Sequence, residues 1–548
     1  MSRTFTVGIV CGITFLATSA PVHAQKFLKK DVAGWVKDLG NDSNEGQRRS
    51  AAFALGKMGS FAADAVPALK RTLDKDSSPK VRDAAAFALG EIARESIKAA
   101  TDPQLVPLLS KALEDKAWPV RRSAAFALGC LDRDAAPAQE ALETALHDQA
   151  PEVRQNAAWA LGRVGPAAVP KLRAALRDVD PFVKRDAAQS LGLFEPVPVR
   201  AALGDLLTLC HDDNSEVRRA AVGVLIRIVG PEDAKIAAKH LQEVLKDGDE
   251  EIRTNAALAL ANIGGKESAQ AVGVLVNAMH RGDIELRRQA AAAIRNIGPE
   301  AHRAVPDLIK TLHEKDKELR TNAALALGGI GEAAAKAVAP LVAMLADTKL
   351  EPEPRKAAAV ALSGIGAVPP AIDALPRLMQ IISNAADDGE VRWRTVWAIR
   401  PHNISLRKME GVYPALSKVL KEPKTDNNRM LRYDCAYMLC ALLGSEAPAD
   451  ALEVLGEFLK DTKVQIYMST QVNLQATGAE IGPGTAKRIE IGKGDGRTMA
   501  LQALGWVGAA RIRQRPDIIQ QLQFLARDPE TFAELKKDCQ SLLKVIGQ

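Results

Sequence analysis

Aromatic residues make up only 4% of this 548-residue chain. Sandwiches and barrels rest on alternating runs of β-branched and aromatic residues, and most of the sequence has none. Cysteine is sparse too. Cys11 lies in the first apolar run, and the other five, Cys130, Cys210, Cys435, Cys440 and Cys539, are odd in number and scattered. That set supports neither a disulfide framework nor a thiolate metal site. No HExxH, CxxC, GxSxG or P-loop pattern occurs, so no catalytic, cofactor-binding or metal residue is assigned. A dominant charge is also missing: 73 Lys and Arg face 67 Asp and Glu, a net +6 with pI near 8.8. Nucleic acid is therefore not the expected partner. Beyond the first 24 residues no segment is expected to cross a membrane. Those 24 read as a signal peptide: a basic "MSR", an apolar run too short to span, and "VHA" before Gln25. The mature chain is expected to be exported, periplasmic or secreted.

What the chain does have is alanine and repetition. "RRSAAFALG" occurs unchanged at Arg48–Gly56 and at Arg121–Gly129. The wider pattern VRxxAAxALG begins at Arg48, Arg82, Arg121, Arg154, Lys184, Arg218, Arg253, Arg287, Arg320, Arg355, Arg392 and Arg432, with a worn copy at Arg497. Most spacings are 33 to 35 residues. A period in that range signals stacked supersecondary units, each too small to bury its apolar face alone.

Each unit reads as two helices. "AVPALKRTL" (Ala65–Leu73) typifies the first, and the repeated pattern is the second. Four residues before the anchoring base lie Ser78, Asp180, Asn214, Asp249, Asp283 and Asp316, all suited to cap a helix N-terminus. Eleven residues after it lie Gly59, Gly165, Gly264, Gly298, Gly331, Gly366 and Gly508, which mark the stop. "VRRSAAFALGCL" (Val120–Leu131), "VRQNAAWALGRVG" (Val153–Gly165) and "LRTNAALALGGIG" (Leu319–Gly331) resemble HEAT repeats, in particular the short bacterial subgroup related to phycobilisome lyases. The expected fold is all-α: a right-handed α-solenoid of about 12 to 13 stacked helix pairs over residues 25–460. A β-hairpin or loop insertion over 461–496 and a final degenerate repeat with a helical cap over 497–548 complete it.

The resemblance further implies a ladder in which an acid before the turn pairs with the anchoring Arg of a neighbouring repeat. Acids stand six residues before the anchor at Asp42, Asp76, Asp115, Asp148, Asp178, Asp212, Asp247, Glu314 and Asp426. Arg281, Lys349 and Ala386 depart from the pattern, which puts the ladder in doubt around the eighth, tenth and eleventh repeats.

At 100° per residue, positions +3, +4, +6, +7 and +10 from the anchor share the core arc. Positions +1, +2, +5 and +9 face away from it, and the resemblance places them on a concave surface. Position +5 holds Phe53, Phe87, Phe126, Trp159, Trp397 and Tyr437, apolar where a merely wetted face would be polar. Position +1 carries Arg49, Arg122 and other bases, with Trp393 and Tyr433 further on. Trp393, Trp397, Tyr433 and Tyr437, with Arg394 beside them, are expected to form a binding hot spot on adjacent repeats. The competing reading is that curvature buries +5 side chains against one another. The function expected is a non-enzymatic, monomeric scaffold that needs no cofactor and binds an extended protein or anionic polymer on its concave face. The alternative is a lyase- or isomerase-like enzyme using the aromatic groove.

Overall fold

The computed structural model describes residues 27–28, 30–461, 497–529 and 531–548. The expected signal peptide over 1–24 and the expected hairpin or loop after Asp461 lie outside the described residues. Among the described residues there is no β-strand; one isolated bridge joins Phe27 and Lys30. The chain divides into two compact bodies, Met1–Ile228 and Val229–Gln548. Both are built from the helix pairs that the period implies, and each of the thirteen anchors falls in a helix.

Local signals set the boundaries. Asp180, Asn214, Asp249, Asp283 and Asp316 each accept a backbone N–H from the first turn of the second helix. Ser78 departs: it occupies the N-cap, but its hydroxyl makes no cap bond, and its own N–H donates to Asp76 instead. At the other end Gly165, Gly264, Gly298, Gly331 and Gly366 all take positive φ. Asp132 holds the same position in the third repeat and, without glycine's freedom, still adopts φ 50.

The core arc is buried as its period requires. Ala85, Ala86, Ala88, Leu89 and Ile92 of the second repeat are all fully inaccessible. Small residues set how closely successive second helices approach. A Cβ on Gly90 would lie 2.7 Å from Ala127 Cα, and one on Gly328 would lie 2.7 Å from Ala361 Cα. Eight residues after one anchor therefore meets six residues after the next, backbone to backbone.

The ladder forms across repeats. Arg48 donates to Asp76 at 2.8 and 3.1 Å, Arg82 to Asp115 at 2.8 and 2.9 Å, and Arg154 to Asp178 at 2.7 and 2.8 Å. The same guanidinium caps the carbonyls of its own turn, as Arg82 does for Asp76 and Ser77. Where the regular acid is missing, a neighbour replaces it. Arg320 reaches Glu351 at 2.9 Å, and Arg355 binds Asp387 with both Nη atoms, at 2.7 and 2.6 Å. Arg392 uses Glu422 rather than the expected Asp426, whose side chain is fully exposed beyond a longer turn. The rung facing Arg281 keeps the expected break: among the described residues Arg253 donates to the carbonyls of Asp247 and Gly248.

One segment modifies the expectation about membrane crossing. Lys317–Ala346 has the length and apolarity of a spanning helix. It is two helices of adjacent repeats, Lys317–Ile330 and Val338–Ala346. Gly331 at φ 76 and a 3-10 turn containing the non-helical Ala334 separate them.

Candidate functional site

The aromatic positions segregate by body. In the first, the second helices Glu45–Lys57, Pro79–Glu95, Trp118–Cys130 and Pro151–Val164 bring Phe53, Phe87, Phe126 and Trp159 into one file. Phe87 and Phe126 stack with ring centres 5.2 Å apart, and Phe126 and Trp159 at 5.6 Å. Gly129 makes room: a Cβ there would meet Trp159 Cζ3 at 2.2 Å. Mutual burial accounts for part of this stripe. Neighbouring rings cover one another, Phe87, Phe126 and Trp159 are half-buried, and Phe53 at the end is 47% exposed. Lys57 lies over the rings of Phe53 and Phe87, and Arg163 over Trp159.

The +1 bases do not form the free cationic strip that their sequence suggests. Arg122 pairs with Asp83 at 3.2 Å and stacks over Trp118. Arg185 pairs with Asp186 and Glu216 at 2.6 Å each. Arg288 and Lys356 in the second body are matched by Asp316 and Glu390 in the same way. Arg49 is exposed. Local neutralisation on this scale removes most of the attraction for an anionic polymer.

The second cluster sits on helices Gly389–Ile399 and Arg429–Leu443 of the second body, in the eleventh and twelfth repeats. Its centre is Asp434, 4% exposed, which sequence reasoning passed over. Asp434 Oδ2 accepts from Trp393 Nε1 at 2.6 Å and from Trp397 Nε1 at 3.0 Å, while Oδ1 accepts from Arg400 Nη2 at 2.6 Å. The two indoles meet edge to face at 5.3 Å. The Arg394 guanidinium packs over both, 4.6 Å from Trp393 and 4.4 Å from Trp397. Arg400 lies over Tyr437, whose hydroxyl bonds Gln502 at 3.2 Å and whose ring meets Trp506 at 5.1 Å.

Tyr433 corrects the expectation of four exposed aromatics. It is fully buried, stacked at 4.2 Å on Phe458 of the first helix of the next repeat, and its hydroxyl donates to Asp461 at 3.0 Å. Burial, with the Asp461 carboxylate beside it, holds its pKa above the usual phenol range. Trp393, Trp397, Tyr437 and Arg394 remain half-exposed, with Trp506 added to them. A signal for Asp434 does exist. In the first body Asp186, two residues after its anchor's position, accepts from Gln155 at 2.9 Å, one residue after the preceding anchor. An acid at +2 thus gathers the +1 donor of the repeat before it.

A separate groove of about 540 Å3 lies between first helices, lined by Val338, Val342, Ala346, Pro370, Ala374 and Arg377 among others. It shares no residue with either aromatic cluster. No group of three or more His, Cys, Asp or Glu positioned to hold a metal occurs among the described residues.

Stacked helix pairs joined by an Arg–acid ladder define an α-solenoid repeat protein. The family model for HEAT repeats matches residues 32–129, 105–192, 138–225, 203–273 and 272–363. The chain belongs to the HEAT-repeat family. The match does not extend to the phycobilisome-lyase subgroup. No curated protein sequence matches the chain. Among solved structures, a crystal structure of an engineered protein is 28% identical, with TM-score 0.50, covering 61% of this chain and 98% of its own. Importin beta is 16% identical with TM-score 0.42, covering 94% and 73%. A Kap95p structure with RanGDP is 13% identical with TM-score 0.40, covering 94% and 72%.

Proposed function

We propose that this protein is a non-enzymatic scaffold that holds an extended protein segment along the face of its second helices. The observation that carries this reading is the fixing of Trp393 and Trp397 by Asp434. Two large half-exposed rings are locked in place before any partner arrives, which lowers the ordering cost of binding. Rigid Trp and Tyr side chains are the commonest interface hot spots. The same geometry weighs against the enzymatic alternative, because the central carboxylate is occupied by three donors. Salt-bridged +1 bases favour a protein segment over an anionic polymer. We further propose that the chain acts outside the cytoplasm as a monomer, on the strength of its first 24 residues and of a buried, self-contained repeat core.

Capture from native extract tests the interaction. Mature wild type and a Trp397→Ala/Tyr437→Ala variant with unchanged helical circular dichroism are compared. Wild type should retain a partner that protects repeats eleven to thirteen from hydrogen exchange, and the variant should lose it. Equal retention, or protection confined to the first helices, overturns the assignment. Intact mass of the native protein should place its first residue at Gln25.

A further inference from the structure

The unusual group in the second cluster is Arg394. It packs against two indole rings at once, set edge to face around it. Both rings are tied through Nε1 to Asp434, so neither indole N–H is available to a ligand. Recognition on this surface must therefore come from ring faces and from the guanidinium edge. That edge is largely unused. Among the described residues Arg394 has one hydrogen-bond partner, Glu390 Oε1, at the long distance of 3.5 Å. Glu390 is itself engaged by Lys356 at 2.8 Å, which draws its charge away. A guanidinium normally presents five donors in a planar fork matched to a carboxylate. Here the fork is immobilised on an aromatic floor, 24% exposed, with most of its donors unspent.

We infer that Arg394 is a carboxylate receptor, and that the segment bound by this face carries an Asp or Glu side chain next to an apolar one. This rests on the scaffold reading and names the partner's chemistry. The acid would lie in the plane of the guanidinium, and the apolar neighbour would cover the half-exposed rings of Trp397 and Tyr437. Charge balance selects a carboxylate over a phosphate group. One guanidinium matches a single negative charge, whereas a dianion would face Glu390 at the same edge with no second unspent cation among the described residues of the cluster; Arg400 is committed to Asp434. Desolvation of the guanidinium by the two rings strengthens a bond formed on its open edge.

The test uses dye-labelled, acetylated and amidated hexapeptides of alternating Glu and Phe, with Gln replacing Glu in the control, read by fluorescence anisotropy on the mature full chain. The Glu peptide should bind about tenfold or more tighter than the Gln peptide, as expected for a charge-assisted bond. Arg394→Gln should erase that difference. Arg394→Lys, which keeps the charge but loses the fork, should restore only part of it. Inorganic phosphate should compete no better than sodium chloride at equal ionic strength. Equal affinity for both peptides, with both lost in Trp397→Ala, overturns the receptor and leaves the binding face standing. No binding of the Glu peptide to wild type overturns the receptor, while partner capture still judges the scaffold by itself. Preferential competition by phosphate would reassign the edge to a phosphorylated ligand.

Discussion

Trp397 on the eleventh repeat donates its indole N–H to Asp434 on the twelfth at 3.0 Å. The carboxylate is 4% exposed and also serves Trp393 and Arg400, so one side chain orients the whole cluster. Asp434→Ala would strand two indole donors and a partly buried guanidinium together. Removing one partner of a buried charge network costs several kcal/mol, and Arg400 recovers some through its solvent contact. The expected loss is about 2–4 kcal/mol for Ala and less for Asn, which keeps one acceptor oxygen. Urea unfolding followed by tryptophan fluorescence measures it, and an unchanged midpoint would contradict the bonding described.

Acid should weaken the fold in two separate windows. Burial by itself would raise the carboxyl pKa values of Asp76, Asp115, Asp148 and Asp178. Burial is the largest single influence, but hydrogen bonds from Arg48, Arg82, Arg121 and Arg154, a backbone N–H bond to each carboxylate and the attraction of nearby bases together outweigh it and hold them below the usual range. The Arg288 bond takes Asp316 down to about 2. Groups lowered in the folded state stabilise it above the unfolded pKa, about 3.9 for Asp, and that contribution fades as pH falls through the folded value. His402 acts at higher pH. Burial lowers its pKa, so the unfolded chain takes up a proton first, from about pH 6.5 downward. Urea midpoints should therefore decline gently below about pH 6.5 and steeply below about pH 4. His402→Leu should flatten the upper decline alone, and Asp115→Asn should shrink the lower. A single decline insensitive to His402→Leu would refute the first window.

Much of this architecture was legible because it is local and repeated. Caps such as Asp249, stops such as Gly264 and the core arc of Ala85, Ala86 and Leu89 depend on helix geometry within a few residues. What escaped depends on the neighbouring repeat. Helical phase places Tyr433 away from its own core, but Phe458 of the following repeat closes over it. Phase likewise shows Arg122 and Arg185 as a basic column, and cannot show that Asp83 and Glu216 neutralise them. Glu422 replaced Asp426 because the preceding turn is longer, so a fixed offset pointed to the wrong acid. Asp434 was hidden for the same reason: its donors stand 34 to 41 residues away.

Glycine should carry opposite signs at two helical positions. Gly90 faces Ala127 so closely that a Cβ would lie 2.7 Å from its Cα, with backbone that cannot swing aside. Gly90→Ala should force the second and third repeats apart and cost about 1–3 kcal/mol. Gly223, in helix Ser215–Ile228, has nothing within 4 Å of its would-be Cβ. Gly223→Ala should add about 1 kcal/mol through helix propensity alone. Paired urea titrations decide the matter. If both variants shift the midpoint the same way, close backbone approach is not what retains glycine at the +8 position.

Asp132 offers a stabilising change at a helix stop. It occupies the left-handed conformation at φ 50, eleven residues after its anchor, where several other repeats place glycine. A side chain in that conformation costs about 1 kcal/mol, less for Asp than for a branched residue. Its compensation is a 2.9 Å ion pair with Arg163, in which both side chains are well exposed, and such pairs contribute about 0–1 kcal/mol. Asp132→Gly relieves the conformation and forfeits the pair; Asp132→Asn keeps a residue tolerant of the conformation and forfeits the charge. Gly should therefore raise stability by about 0–1 kcal/mol, and Asn should lie at or slightly below wild type. Raising salt to 1 M screens the ion pair in wild type and should widen the advantage of Gly. If Gly instead lowers the midpoint at every salt concentration, the Arg163 pair outweighs the backbone strain and the third repeat keeps its aspartate for that bond.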